Sequence, residues 1–359
     1  MDYRSRQRHL QSLLAENHID GLLLTHLPNI RYLCGFTGSA AALVLTEKHK
    51  AFFTDSRYTT QSREEVQGAR VIVSRKAPLV TAGGWLKSHY RKLTLGIEGE
   101  HLSVAAQARL KTSLTGGFRL KQAPPLVERA RMVKDSDELE RMRAAALLGV
   151  NLLDSLKSVL RAGAKECEVS AELEYAASRA GAEAMSFPTI IASGERSALP
   201  HGRASQHAIP PKGFVVCDFG VILGGYCSDM TRTLSVGRAS NASRRAYEAV
   251  REAQQAALDA VRPGRTVGQV DQAARNLLVE QGLGRYFTHS TGHGVGLEIH
   301  EAPRLASGGK DILQPGMVVT IEPGVYLPGR FGVRIEDTII VTDRGYEILT
   351  PANKELTEL

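Results

Sequence analysis

Two stretches of this 359-residue chain carry acidic pairs at spacings suited to holding cations. The first runs from Cys217-Asp218-Phe219-Gly220 through Gly224-Gly225 to Ser228-Asp229. Its central glycines predict a hairpin. With the turn centred between Leu223 and Gly224, Asp218 and Asp229 become cross-strand neighbours, their Cβ atoms roughly 5 Å apart on one face. The second runs from Thr320-Ile321-Glu322-Pro323-Gly324 through Leu327-Pro328-Gly329-Arg330 to Val333-Arg334-Ile335-Glu336-Asp337. Its midpoint is Gly329, inside the turn, so Glu322 and Glu336 also face each other, with Pro323 marking a bulge or strand end. Arg334, two residues before Glu336, points to the same face.

Four carboxylates brought together repel one another unless cations neutralise them. Two divalent ions would match the four negative charges and leave a bridging hydroxide as nucleophile, the arrangement of two-metal hydrolases. An oxygen-rich shell favours Mn²⁺, with Co²⁺, Fe²⁺ or Zn²⁺ admitted once an imidazole joins it. The imidazole is expected at His293, between Gly292 and Gly294, because flanking glycines allow close backbone approach. His289, His293 and His300 crowd one short segment of a chain with 11 histidines, and His201 lies in the breaker-rich loop Ala198-Leu199-Pro200-His201-Gly202.

Each feature also has an ordinary explanation. Asp218 alone could cap a turn, Glu322 could begin one, and Arg334 could pair with Asp337 or Glu336. Cys217 and Cys227 read best as small packed residues, and His207 as a surface residue. The conjunction of two symmetric acidic hairpins with a glycine-flanked histidine between them is what argues for a metal centre.

The elements that must position these groups fall into two parts. Before residue 125, short apolar strands (21–25, 41–46, 51–54, 71–74, 94–98) alternate with helices (6–16, 56–67, 104–112), a small α/β layer domain. Pro124-Pro125 ends it, and Asp135 with Glu138 forms a capping box for a helix from Asp137 to about Val159. The rest reads as built twice. Helix pairs at 137–159/168–180 and 242–261/267–281 each precede a strand-rich stretch. Domains of 1–125 and 126–359 are therefore expected.

Composition removes several classes. At 43% hydrophobic and 23% charged residues the chain is of ordinary globular make-up. Its apolar runs fall far short of the ~20 residues of a membrane helix. No signal segment is visible, so a cytoplasmic protein with four reduced cysteines is expected. The net charge of +7 comes from scattered Lys and Arg, densest at Arg4-Ser5-Arg6-Gln7-Arg8, which argues against nucleic-acid binding.

The motifs DFG-x8-DMTRT, TGHGVGLEIHE, TIEPG and GVRIED resemble those of pita-bread-fold metallopeptidases, in the branch of Xaa-Pro aminopeptidases and prolidases. The resemblance spans nearly the whole chain. It implies a creatinase-like N-terminal α/β domain followed by a pita-bread catalytic domain of duplicated helix pairs and antiparallel strands. It implies two divalent metal ions per subunit, with Asp229 and Glu336 bridging, Asp218 on one ion and His293 with Glu322 on the other. Glu322 would accept a proton, His300 would stabilise the oxyanion, and His201 would contact the carbonyl after the scissile bond. His289, Arg334 and Tyr326 would line the proline side. The leading expectation is a homodimeric aminopeptidase acting on proline-containing peptides. A prolidase restricted to Xaa-Pro dipeptides, with Arg334 as carboxylate clamp, is the alternative. A non-catalytic pita-bread binding module is a remote third.

Overall fold

The computed structural model describes residues 1–114 and 116–359, which divide into two compact units, Met1–Arg131 and Met132–Leu359. The sequence-based boundary at 125 falls just ahead of the helix Leu126–Met132, within which the division lies. Among the described residues no helix is long and apolar enough to cross a membrane, and no disulfide joins the cysteines.

Unit one contains β1 (Gly21–Leu24), β2 (Ala41–Thr46), β3 (Lys50–Asp55), β4 (Arg70–Ser74), β5 (Lys92–Glu98) and β6 (Gly117–Ala123). They form one mixed sheet in the order β4-β3-β2-β1-β5-β6. Every residue of β1 is buried, the mark of a central strand covered on both faces. The helices are α1 (Tyr3–Leu13), α2 (Leu27–Cys34), α3 (Thr59–Glu65), α4 (Pro78–His89), α5 (Val104–Ser113) and α6 (Leu126–Met132). The sequence reading omits β6 and α6, and it also omits α2 and α4. Both carry a proline in their first turn, where proline initiates a helix as readily as it breaks one.

Unit two repeats one plan. The helices α7 (Ser136–Val159) and α8 (Glu166–Arg179) pack Leu152, Leu156, Val169 and Leu173 onto Ile191, Val215 and Phe219. The helices α9 (Asn241–Ala260) and α10 (Val267–Glu280) pack Tyr247, Val250, Val270 and Leu278 onto Val319, Ile321, Val333 and Ile339. Each buried side chain of this size contributes roughly 1.5–3 kcal/mol, so each helix pair is held to its own strands. The predicted capping box on α7 is present: Asp135 accepts from the Glu138 amide and the Glu138 side chain accepts from the Asp135 amide.

The strands of unit two are β7 (Ala184–Met185), β8 (Ile190–Ser193), β9 (Gly213–Phe219), β10 (Val221–Leu223), β11 (Tyr226–Cys227), β12 (Met230–Val236), β13 (Gly292–Gly294), β14 (Glu301–Leu305), β15 (Val318–Ile321), β16 (Gly324–Leu327), β17 (Phe331–Arg334), β18 (Asp337–Thr342) and β19 (Gly345–Ile348). Two long hairpins dominate, and each is interrupted partway. In the first, β9–β12 and β10–β11 share one register, with Phe219 opposite Met230 and Ile222 opposite Cys227. In the second, β15–β18 and β16–β17 share one register, with Ile321 opposite Asp337 and Gly324 opposite Arg334. The acids gather at the two interruptions.

The first register differs from expectation. Gly224 and Gly225 both take positive φ, at 58° and 82°, and together form the tip. That slides the pairing by two, so Asp218 lies opposite Thr231 rather than Asp229. Because side chains alternate with period two, both aspartates keep the same face and become diagonal neighbours. The second register continues as expected, bringing Glu322 and Glu336 opposite each other just beyond the Gly324–Arg334 pair.

Candidate metal centre

Asp218 is the penultimate residue of β9, Asp229 and Glu336 sit at the hairpin interruptions, Glu322 precedes the Pro323 break, and His293 is the middle residue of β13. A Cβ on Gly292 would strike the Thr320 carbonyl and one on Gly294 the Ala302 carbonyl. The flanking glycines therefore let β13 lie tightly against its neighbouring strands.

Ligand atoms of Asp229, His293 and Glu336 lie within 4.8 Å of one another. His293 Nε2 is 3.6 Å from Asp229 Oδ2 and 3.4 Å from Glu322 Oε1. The Nδ1 atom lies 3.0 Å from the Gly294 carbonyl, a contact that requires Nδ1–H and leaves the Nε2 lone pair facing the acids. Burial lowers the His293 pKa to about 4, which keeps the ring neutral and able to ligate. Thr231 donates to Glu336 Oε2 at 2.6 Å and Thr320 to Glu322 Oε1 at 3.3 Å, fixing both carboxylates.

Asp218 Oδ1, Asp229 Oδ1 and Glu336 Oε1 are buried without any hydrogen-bond partner. Orphaned buried carboxylate oxygens are costly. Burial, then the charges of neighbouring acids, raises the Asp229 and Glu336 pKa values well above the usual carboxylate range. Burial also pushes Glu322 up to about 8, although Arg334 opposes it. Carboxylate oxygens of Asp229 and Glu322 at 3.6 and 3.4 Å from the His293 Nε2 atom suit donors about 2.0–2.2 Å from a shared cation. The residues present fit divalent metal.

The cavity over this cluster has a volume of about 480 Å³. It is also lined by His201, His289, His300 and Arg334, as expected, but Tyr326 is not among its lining residues. Tyr326 is buried behind the wall. Arg334 Nη1 donates to its hydroxyl at 2.7 Å, and that hydroxyl lies 2.9 Å from His289 Nε2. His289 Nδ1 lies 2.8 Å from the Ser290 carbonyl, so both ring nitrogens are engaged, and burial lowers its pKa to about 4. Arg334 further donates to Asp218 Oδ2 at 2.6 Å, the Pro200 carbonyl and Thr231. The three residues expected to touch substrate form an internal brace, and four of the five guanidinium N–H groups of Arg334 are spent within it. Asp337 belongs elsewhere: Arg232 and Lys354 bind it, and they overcome burial to keep its pKa low.

Arg304, absent from the sequence reading, is an exposed residue on the cavity wall. It stands directly opposite His293 in the β13–β14 ladder. Its position after Ala302-Pro303 reads as a loop; only the pairing of β14 reveals it. Phe187, Pro188, Ile190 and Ile299 add an apolar wall.

The loop carrying these histidines is anchored from beneath. Buried Asp271 accepts from the Thr291 amide and hydroxyl and pairs with Arg275, which also donates to the Phe287 and His289 carbonyls. Lys134 and Glu301, with side chains 1% and 6% exposed, pair at 3.4 Å, and Glu301 accepts from the Glu298 amide.

Comparison with known proteins gives the same frame. The model of metallopeptidase family M24 matches residues 140–343, and that of the creatinase/prolidase N-terminal domain matches residues 6–133. A Xaa-Pro dipeptidase of Pyrococcus furiosus is 36% identical over 98% of this chain and 99% of its own length. The solved Xaa-Pro dipeptidase from Bacillus anthracis is 40% identical with a TM-score of 0.95, covering 99% of this chain and 100% of that one. An X-Pro aminopeptidase structure from Thermotoga maritima is 34% identical with a TM-score of 0.88, over 99% and 100% of the two chains. Matched across both units and over its acidic hairpins, the chain belongs to metallopeptidase family M24.

Proposed function

We propose that this protein hydrolyses the bond between an N-terminal residue and a following proline, with Xaa-Pro dipeptides as its preferred substrates. The dipeptidase reading takes precedence over the aminopeptidase expected from sequence, because the Xaa-Pro dipeptidase from Bacillus anthracis matches at higher identity and TM-score than the X-Pro aminopeptidase from Thermotoga maritima. The observation that carries it is Arg304: a guanidinium on the cavity wall, opposite His293, with no salt-bridge partner among the described residues. A fork of this kind suits the C-terminal carboxylate of a dipeptide.

Asp218, Asp229, His293, Glu322 and Glu336 would hold two divalent cations, and four carboxylates to one imidazole favour Mn²⁺. When bound, such ions neutralise the acids, acidify a water and polarise a carbonyl. The remaining work falls to the chain. Glu322, steadied by Thr320, receives the proton of the attacking water. Exposed His300, its ring 4.5 Å from that of His293, donates to the oxygen that gains charge. His201 joins Arg304 on the carboxylate, which in a dipeptide occupies the place of the next carbonyl. The brace of Arg334, Tyr326 and His289 keeps Asp218 and the cavity wall in place.

Initial rates on Ala-Pro and Ala-Pro-Ala with Mn²⁺, beside an EDTA control, test this reading. Chelator-sensitive cleavage confined to Ala-Pro supports it; equal or faster cleavage of the tripeptide restores the aminopeptidase. Absence of stoichiometric metal at the site would favour a non-catalytic module. A homodimer is part of the proposal, and a one-chain mass by light scattering at micromolar concentration would count against it.

A further inference from the structure

Unit one holds a basic groove that shares no lining residue with the cavity over the metal centre. A groove of about 640 Å³ runs between α1, the β2–β3 turn, the start of β4 and α4. Arg4, Arg8, Lys48, Lys50 and Arg70 line it, and no carboxylate does. None of the five makes a salt bridge among the described residues. Helical periodicity explains how the N-terminal arginine run is divided. Arg4 and Arg8, four residues apart, share the groove face of α1. Arg6 turns inward, donates to the Tyr32 carbonyl and lies 4.1 Å over the Tyr32 ring.

Beside the cations stands a wall of rings. Trp85 stacks on His89 at 4.1 Å between centroids, and His49 meets both edge-on at 5.6 Å. The Tyr90 hydroxyl, 2.6 Å from His49 Nδ1 and 2.8 Å from Thr46 Oγ1, fixes the wall. Solvated surfaces normally intersperse charges of both signs. Here like charges crowd one concavity, and partial burial together with Arg8 and Arg4 lowers the Lys50 pKa. An anion bearing several charges relieves that repulsion. Its volume is that of a small-molecule site.

We propose that this groove binds a nucleoside polyphosphate, its phosphates on the five cations and its base against the Trp85–His89–His49 wall. Ring stacking beside cations is the means by which proteins hold bases and phosphates together.

Trp85 is the chain's only tryptophan, so its emission reports on this groove. The full-length protein would be titrated with Mg²⁺-ATP, inorganic triphosphate and a single-stranded oligoribonucleotide in parallel, with equilibrium dialysis for stoichiometry. The expected result is saturable quenching by ATP at one per chain. Arg8→Glu/Lys50→Glu should weaken it at least about tenfold, with Ala-Pro hydrolysis and the circular-dichroism melt unchanged. If the double variant misfolds, Arg70→Glu tests the same site. No saturable response, or one indifferent to these substitutions, overturns the proposal. Triphosphate binding as tightly as ATP removes the base from it, and tighter binding of the oligonucleotide replaces it with nucleic acid.

Discussion

His293 and Arg304 are directly opposed residues of adjacent antiparallel strands. The side chain proposed to ligate metal and the one proposed to seize a substrate carboxylate are thus spaced by a single ladder step, with no loop between them to vary the distance. Arg304→Ala is expected to raise KM for Ala-Pro about 10- to 100-fold, the worth of a charged hydrogen bond at ~1.5–3 kcal/mol. Ala-Pro amide should be barely affected. Steady-state kinetics on both decide it, and equal losses would remove the carboxylate role.

Asp229→Asn should strip the centre of tight metal. Outer contacts of metal sites alone cost about 10–100-fold, so loss of a ligand should lower activity by at least about 10²-fold. Metal content by mass spectrometry and a melt in chelator provide the check. The chelated variant should be no less stable than the parent, since one repelling charge is gone. Full activity would end the assignment.

The metal-free protein should weaken as pH rises. Glu322, Glu336 and Asp229 have folded pKa values above the unfolded range near 4. A group of this kind adds stability below its unfolded pKa and loses it through its folded value, about 8 for Glu322. The Tm in EDTA should therefore fall between about pH 4.5 and 8, and saturating Mn²⁺ at pH 8 should reverse the fall. A flat EDTA profile would contradict the clustering of these acids.

His300→Ala should lower kcat by ~10²-fold with little change in KM, the scale of a lost donor to a developing oxyanion. Pre-steady-state and steady-state rates on Ala-Pro provide the measurement. An unchanged kcat would take His300 out of the chemistry.

Lys134→Met would remove the buried ammonium that pairs with Glu301 beside the His300 segment. Removing one partner of a buried pair costs about 3–5 kcal/mol. Denaturant unfolding should register a loss of that order, with kcat reduced in step. A loss below ~1 kcal/mol would show that the Glu301 carboxylate does not depend on Lys134.

Much of the centre is legible in the sequence because turn chemistry fixes pairing. Pro328-Gly329 leaves one position for its hairpin tip, so Glu322 meets Glu336. Gly224-Gly225 leaves two, and only the φ values choose between them. The acids survive that ambiguity because a slip of two preserves the face. Helix pairs show through their periodicity, whereas α2 and α4 hide behind proline. Residue type does not reveal hydrogen-bond saturation. Arg334 and His289 line the cavity as a substrate-contact reading requires, but their bonds to Tyr326 and to each other's neighbours cannot be read from sequence. Arg304 looks like loop until β14 is seen to pair with β13.

Both broken hairpins resume beyond the break in the register they had before it, adding a residue to neither side. Chain length between each acid and its hairpin tip is thus as binding as the acid's identity. A single-residue insertion or deletion in the strand segment between an acid and its hairpin tip, with the tip unchanged, would turn that acid to the opposite face. Length variation can be accommodated outside these segments, or at the Gly224-Gly225 and Pro328-Gly329 tips, where a longer turn leaves the flanking pairs in place. The distance from each acid to its tip behaves as a ruler, and a related chain in which that strand segment differs by one, over an unchanged tip, should be unable to assemble the centre.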